Sequence, residues 1–122
     1  MNRILFIITG SIAASRCKTI INLLHYKEIE ISSILTTEAK KYVKISEIKK
    51  LLKNRIFTDE DERKNKMLHI NLSRDNDIIV VCPATANSIA KFANGYGDNL
   101  ASNTLLASNK KILFVPAMNS FM

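Results

Sequence analysis

A chain of 122 residues can bury one core, so a single domain over residues 1–122 is expected. Its 47% hydrophobic and 24% charged residues exclude a disordered chain, and no apolar run approaches the roughly 20 residues of a membrane helix. The net charge of +7 invites a nucleic-acid reading, yet residues 40–66 alone hold ten Lys or Arg against five Asp or Glu, with no aromatic stacking pattern between them. A solvated helix face accounts for that charge, and no nucleic-acid or membrane partner is expected.

The first apolar run, residues 4–8, leads into Thr9-Gly10-Ser11 and not into a small-residue cleavage site, so a cytoplasmic location is expected. Together with the runs at 78–82 and 112–116, it has the unalternated pattern of strands covered on both faces. A weaker fourth strand, residues 30–36, is interrupted by Ser32 and Ser33. After the first strand, Ala13, Cys17, Ile20, Ile21 and Leu24 recur at three- and four-residue steps and predict an amphipathic helix. Residues 38–43 and 46–54 read as two short helices, with Ser46 as the N-cap of the second. Residues 57–67 read as an exposed charged loop, and residues 68–74 as one or two helical turns. Two further helices follow Pro83, separated by a Gly-Tyr-Gly-Asp stretch in which Gly95 stops the first. The order β-α-β-α-α-β-α-α-β predicts an α/β fold, a Rossmann-like doubly wound parallel sheet in three α/β/α layers.

In such a fold, ligand chemistry gathers where the strands end. Gly10 lets the chain turn tightly, and the amides of Ser11 and Ile12 then point out from a helix N-terminus, a natural seat for phosphate. A plain turn with Ser11 as N-cap is the alternative. After the third strand, Thr85 and Asn87 offer hydrogen bonds, while Ala84 and Ala86 let a flat ligand approach the backbone; Asn87 could instead cap its helix. Pro116, Ala117, Met118 and Asn119 follow the last strand. Three such loops facing one crevice suit a flat, uncharged ring with a phosphate tail. Cys17 and Cys82 lack metal or redox spacing, and His25 and His69 stand alone, so no metal and two reduced, buried thiols are expected.

The stretches TGSIAA, LHINLSR, CPATANSIAKFANGYGDNL and PAMNSFM together resemble the homo-oligomeric flavin-containing cysteine decarboxylases, and most closely those acting on phosphopantothenoylcysteine in coenzyme A biosynthesis. The likeness covers nearly the whole chain. It rests on P-A-S/T-A-N-T/S at residues 83–88, on G-x-x-D-N/D-L at 95–100, and on P-x-M-N-x-x-M-W at 116–122 without its tryptophan. The resemblance implies FMN as cofactor, with Gly10, Ser11 and Ile12 at its phosphate region. It implies that Thr36 and Tyr42 line the flavin, Tyr42 standing where Phe is usual. Thr85, Ala86, Asn87 and Ser88 would wrap the cofactor and Ala117 would touch it. His69 matches the active-site histidine, where a surface helix histidine is the plainer reading of the residue alone, and Asn119 matches the asparagine that binds the substrate carboxylate. The implied reaction is FMN-dependent decarboxylation of phosphopantothenoylcysteine to pantetheine phosphate. A peptidyl-cysteine decarboxylase and an FMN-binding module without turnover are the alternatives.

Relatives continue past the last motif into a clamp over the substrate that carries a proton-donating cysteine. The expectation is therefore a flavoprotein domain incomplete at its C-terminus, a small-molecule substrate, a homo-trimer or higher homo-oligomer, and a separate C-terminal fragment as a further candidate partner.

Overall fold

The first strand, β1 (Arg3–Ile8), lies at the centre of the sheet because its side chains serve two cores at once. In the computed structural model, which describes residues 3–117, the last four residues of β1 are buried. Phe6 and Ile8 join Cys17, Ile21, Ile48 and Leu52 on one face, while Leu5 and Ile7 join Leu72, Leu100 and Leu105 on the other. The two-residue period of a strand is what lets one continuous apolar run feed both layers.

Around β1 stand β2 (Glu30–Leu35), β3 (Ile56–Phe57), β4 (Ile78–Ala84) and β5 (Lys111–Pro116), in the order β3-β2-β1-β4-β5. All pairs are parallel, and Ile7 is in register with both Ile34 and Val81. The ends of β1, β2 and β4 are thereby level, and their following loops emerge side by side. The chain winds outward from β1 to β3 and then crosses back to β4, so the strand order reverses between β1 and β4. A crevice opens at such a reversal.

A 3₁₀ turn (Ile12–Arg16), α1 (Cys17–Tyr26) and α2 (Ile45–Leu51) cover one face of the sheet. On the other lie α4 (Leu68–Asp75), α5 (Ala86–Ala93) and α6 (Leu100–Ala107). This is the expected three-layer α/β/α arrangement. None of the described helices is long and apolar enough to cross a membrane.

The weak strand is compatible with burial because Ser33, fully buried, donates its hydroxyl to the Phe6 carbonyl at 2.8 Å, so its own polar group is paired. Gly95 ends α5 as expected, at φ 68°, a left-handed conformation that favours glycine. Other details differ from expectation. Residues 38–43 form only a 3₁₀ turn (Glu38–Lys41), and α2 begins one residue before Ser46, with Lys44 at the N-cap position. Ile20 is 37% exposed, so α1 buries Cys17 and Ile21 with Leu24 packed beside them.

The largest difference is the charged segment expected as a loop. It contains the end of β3 and a helix, α3 (Asp59–Lys64), that buries none of its residues. Thr58 and Asp61 form a reciprocal capping box at its start. Polar docking then holds it: Asp59 Oδ1 accepts from the Leu100 amide at 3.0 Å, and Glu62 Oε1 accepts from Asn103 Nδ2 at 2.8 Å. An apolar stripe was the missing signal, because this helix uses none.

Candidate functional site

Where β1, β2 and β4 end, a cleft of about 150 Å³ opens between their loops and the helices α5 and α6. Ile7, Val81, Phe92, Ala101 and Leu105 give it apolar walls. Polar groups enter from Thr9, Gly10, Thr36 and Glu38 on one side and from Thr85, Asn87, Ser88, Lys91, Asn99 and Ser102 on the other.

Each rim element is fixed by short-range chemistry. A Cβ on Gly10 would stand 2.4 Å from Glu38 Cβ and 3.0 Å from the Glu38 carbonyl carbon, so the absence of a side chain lets the turn after β2 lie against the turn after β1. The Thr9 hydroxyl donates to the Pro83 carbonyl, tying the end of β1 to β4, where the Cys82–Pro83 peptide is cis. Thr36 Oγ1 accepts from the Ala39 amide at 3.3 Å and caps its turn. Thr85 caps α5 by accepting from the Ser88 amide at 3.1 Å, with the two hydroxyl oxygens 2.6 Å apart. Asn99 and Ser102 cap α6 reciprocally: Asn99 Oδ1 accepts from the Ser102 amide at 2.8 Å, and Ser102 Oγ accepts from the Asn99 amide at 3.0 Å. Asn87 is exposed at the cleft, and its side-chain amide makes no hydrogen bond among the described residues. It is free to serve a guest.

An ion pair stands at the cleft. Lys91 Nζ donates to Asp98 Oδ2 at 3.0 Å and to Oδ1 at 3.3 Å, and these bonds hold the Asp98 carboxyl below the usual carboxylate range.

The structure therefore brings together Gly10, Thr36, Thr85, Asn87 and Ser88 of the residues expected from sequence. Ser11, Ile12, Tyr42, Ala86 and Ala117 flank these positions without lining the cleft. Ser11 accepts from the Ala13 amide at 3.2 Å and so acts as a cap, while Ile12 and Tyr42 are 79% and 45% exposed. Ala86 opens α5, which Thr85 and not Asn87 caps. The Ala117 amide donates to the Ala84 carbonyl at 3.1 Å, which fastens the chain after β5 to the end of β4. His69, on α4, is half-buried and does not line the cleft; its Nδ1 is buried with no hydrogen-bond partner among the described residues. Asn119 lies outside the described residues.

Lys91, Phe92, Asn99 and Ser102 were not anticipated. A helical signal for the first two exists: Ser88, Lys91 and Phe92 follow one another at three- and four-residue spacing on one face of α5. Asn99 and Ser102 belong to the motif at 95–100 and the turn just after it, whose spacing was noted without a role.

The two cysteines form no disulfide and are buried. Burial, helped by the neighbouring Cys82, pushes the Cys17 thiol up to about 12, and its Sγ donates to the Cys82 carbonyl at 3.1 Å. Burial raises Cys82 as well. Both stay protonated at neutral pH, which makes them poor nucleophiles and poor metal ligands. Among the described residues no group of three or more His, Cys, Asp or Glu is placed to hold a metal ion.

Comparison with known proteins gives this arrangement a family. The phosphopantothenoylcysteine decarboxylase of Mus musculus is 34% identical over 129 residues, covering 98% of this chain and 61% of that protein. The solved structure of the peptidyl-cysteine decarboxylase EpiD is 30% identical with a TM-score of 0.82, covering 98% of this chain and 71% of that one. The FMN-dependent cysteine decarboxylase TvaF from thioviridamide biosynthesis shares the fold, with a TM-score of 0.93 at 23% identity over all of this chain and 76% of that one. The chain spans between 20% and 61% of the length of four curated relatives that it matches. Residues 1–122 all match the Flavoprotein family, and the chain belongs to it.

Proposed function

We propose that the cleft holds FMN and that the protein acts in FMN-dependent decarboxylation of a cysteine group, with phosphopantothenoylcysteine as the substrate. The observation that carries this reading is the composition of the cleft at the strand ends: apolar side chains of Ile7, Val81, Phe92, Ala101 and Leu105 face the hydroxyls and amides of Thr36, Thr85, Asn87, Ser88 and Asn99, with Lys91 and Glu38 as the charged groups among the described residues. That donor set fits a flat heteroaromatic ring with a polar edge and a phosphate. The likeness to decarboxylases of phosphopantothenoylcysteine and of peptidyl cysteine supports the same chemistry.

Bound FMN supplies reversible two-electron oxidation, which activates the cysteine so that its carboxylate can leave as carbon dioxide. The chain's own residues orient and shield. Ile7, Val81, Phe92 and Leu105 keep water from one side of the cleft. The unpartnered amide of Asn87 and the hydroxyls of Thr36, Thr85 and Ser88 would hold the cofactor's polar groups, and Gly10, by letting the Glu38 turn pack against its own, sets the position of the turn that carries Ser11 and Ile12. The Ser11 hydroxyl, although its oxygen caps a turn, still has a proton to donate. His69 holds or moves a proton at Nε2, since its Nδ1 is enclosed. Asn119 binds the substrate carboxylate.

A second reading, an FMN-binding module without turnover, draws on one observation: His69 stands outside the cleft lining. Incubating the FMN-loaded chain with phosphopantothenoylcysteine and measuring carbon dioxide and pantetheine phosphate separates the two. The enzyme reading expects both products from the native chain and neither from His69→Asn, with flavin retained in each. Products at equal rates from both proteins would remove His69 from the mechanism, and no products from either would leave the module.

A further inference from the structure

Among the described residues, Lys91 and Glu38 are the charged residues that line the cleft, Lys91 being the cation. It is no loose surface lysine. Its side chain is 29% exposed, and its ammonium spends two of three N–H donors on the two oxygens of Asp98, at 3.0 and 3.3 Å. Asp98 is anchored in turn, since its own amide donates to Ser102 Oγ at 3.0 Å, and Ser102 is locked into the cap of α6. A positive charge held in place, with one donor to spare, therefore lines the same cleft as the apolar side chains of Ile7, Val81, Phe92 and Leu105.

We propose that Lys91 sets the electron affinity of the bound flavin, its ammonium stabilising the negative charge that the ring acquires on reduction, with Asp98 as the positioning residue that aims it. The inference rests on the cofactor reading above. At neutral pH a flavin that takes up two electrons and one proton gains one net negative charge on its ring. A fixed cation in a partly apolar site favours that form over the neutral oxidised one, and it does so strongly because no water needs to reorient. The oxidised cofactor becomes a better acceptor for the two electrons of a thiol-bearing carbon. Asp98 also moderates the effect, because a paired lysine presents less net charge than a lone one.

The test is the midpoint potential of FMN bound to the full chain, followed by visible absorption during reductive titration against a reference dye, for the native protein, Lys91→Met, Lys91→Arg and Asp98→Asn. Lys91→Met is expected to weaken binding of reduced relative to oxidised flavin about tenfold, a fall of about 30 mV for a two-electron couple. Lys91→Arg should stay near the native value, and Asp98→Asn should shift it by less than Lys91→Met. Flavin retained by Lys91→Met at an unchanged potential overturns the inference and leaves the cofactor reading standing. A tenfold loss of FMN affinity with riboflavin binding untouched would assign the lysine to the phosphate and also overturn it. A native chain that binds no flavin overturns the cofactor reading and this inference with it.

Discussion

The cleft and the helix that carries His69 are held by different forces. Around the cleft, Gly10, Thr36, Thr85 and Asn87 come from turns that follow parallel strands, and their positions follow from strand register and local caps. Helix α4 instead is placed by packing: Leu68 and Leu72 are buried against the core shared with α6, and His69 rides between them on the same helix. The difference teaches that the groups lining the cleft are set by strand register and local hydrogen bonding, whereas His69, proposed above to handle a proton, is set by side-chain burial along its helix. The two can be perturbed separately.

The most disruptive way to break that separation is Leu72→Ala. Removing this 6% exposed side chain should cost about 2–5 kcal/mol of stability by leaving a cavity under α4. Urea unfolding would measure the loss, while FMN affinity in the absence of urea is expected to stay within a few-fold of native. A tenfold fall in affinity at full folding would show that α4 also supports the cleft. Gly10→Val acts on the other region: its side chain collides with Glu38, and overpacking of this kind costs about 1–3 kcal/mol. Flavin binding should be lost with it. Native-like affinity in this variant would contradict the close approach of the two turns.

Thr85→Ala is a milder probe of the cleft. Loss of an N-cap costs about 1 kcal/mol, and it frees Ser88 from its partner, so a modest drop in melting temperature should accompany weaker FMN binding. The smallest effect concerns pH. Cys17 is raised to about 12 in the folded protein from an ordinary 9.0. The folded state thus holds its proton more tightly than the unfolded chain, so its contribution to stability is complete below pH 9 and is lost as pH rises from 9 toward 12. The raised Cys82 acts in the same direction. Thermal unfolding of the native chain and Cys17→Ala between pH 8 and 10.5 should show a steeper alkaline decline for the native chain. Parallel curves would contradict it.

Much of the sheet was legible because β1, β4 and β5 are continuous apolar runs, although β5, expected to be covered on both faces, is an edge strand among the described residues with Leu113 and Val115 52% and 40% exposed. Two residues of β3 leave no such trace, and α3 hid for a physical reason: it docks through Asp59 and Glu62 and buries no residue, so no periodicity marks it. The same split runs through the site. The turns after β1 and β4 announce themselves by glycine, proline, small and hydroxyl residues in sequence. Lys91 and Asp98 are seven residues apart, and only the fold of the intervening turn brings their charges together at the cleft. Ser11 shows the converse, a residue whose plain role as a cap is realised.

Titration of the purified chain with FMN, followed by quenching of flavin fluorescence and by the visible spectrum that remains after free cofactor is removed, tests the central claim most directly. The account predicts a saturable, stoichiometric flavin spectrum that stays with the native chain and is lost from Gly10→Val. A native chain that stays folded and colourless, with fluorescence unchanged, would contradict the assignment of the cleft at the strand ends to FMN.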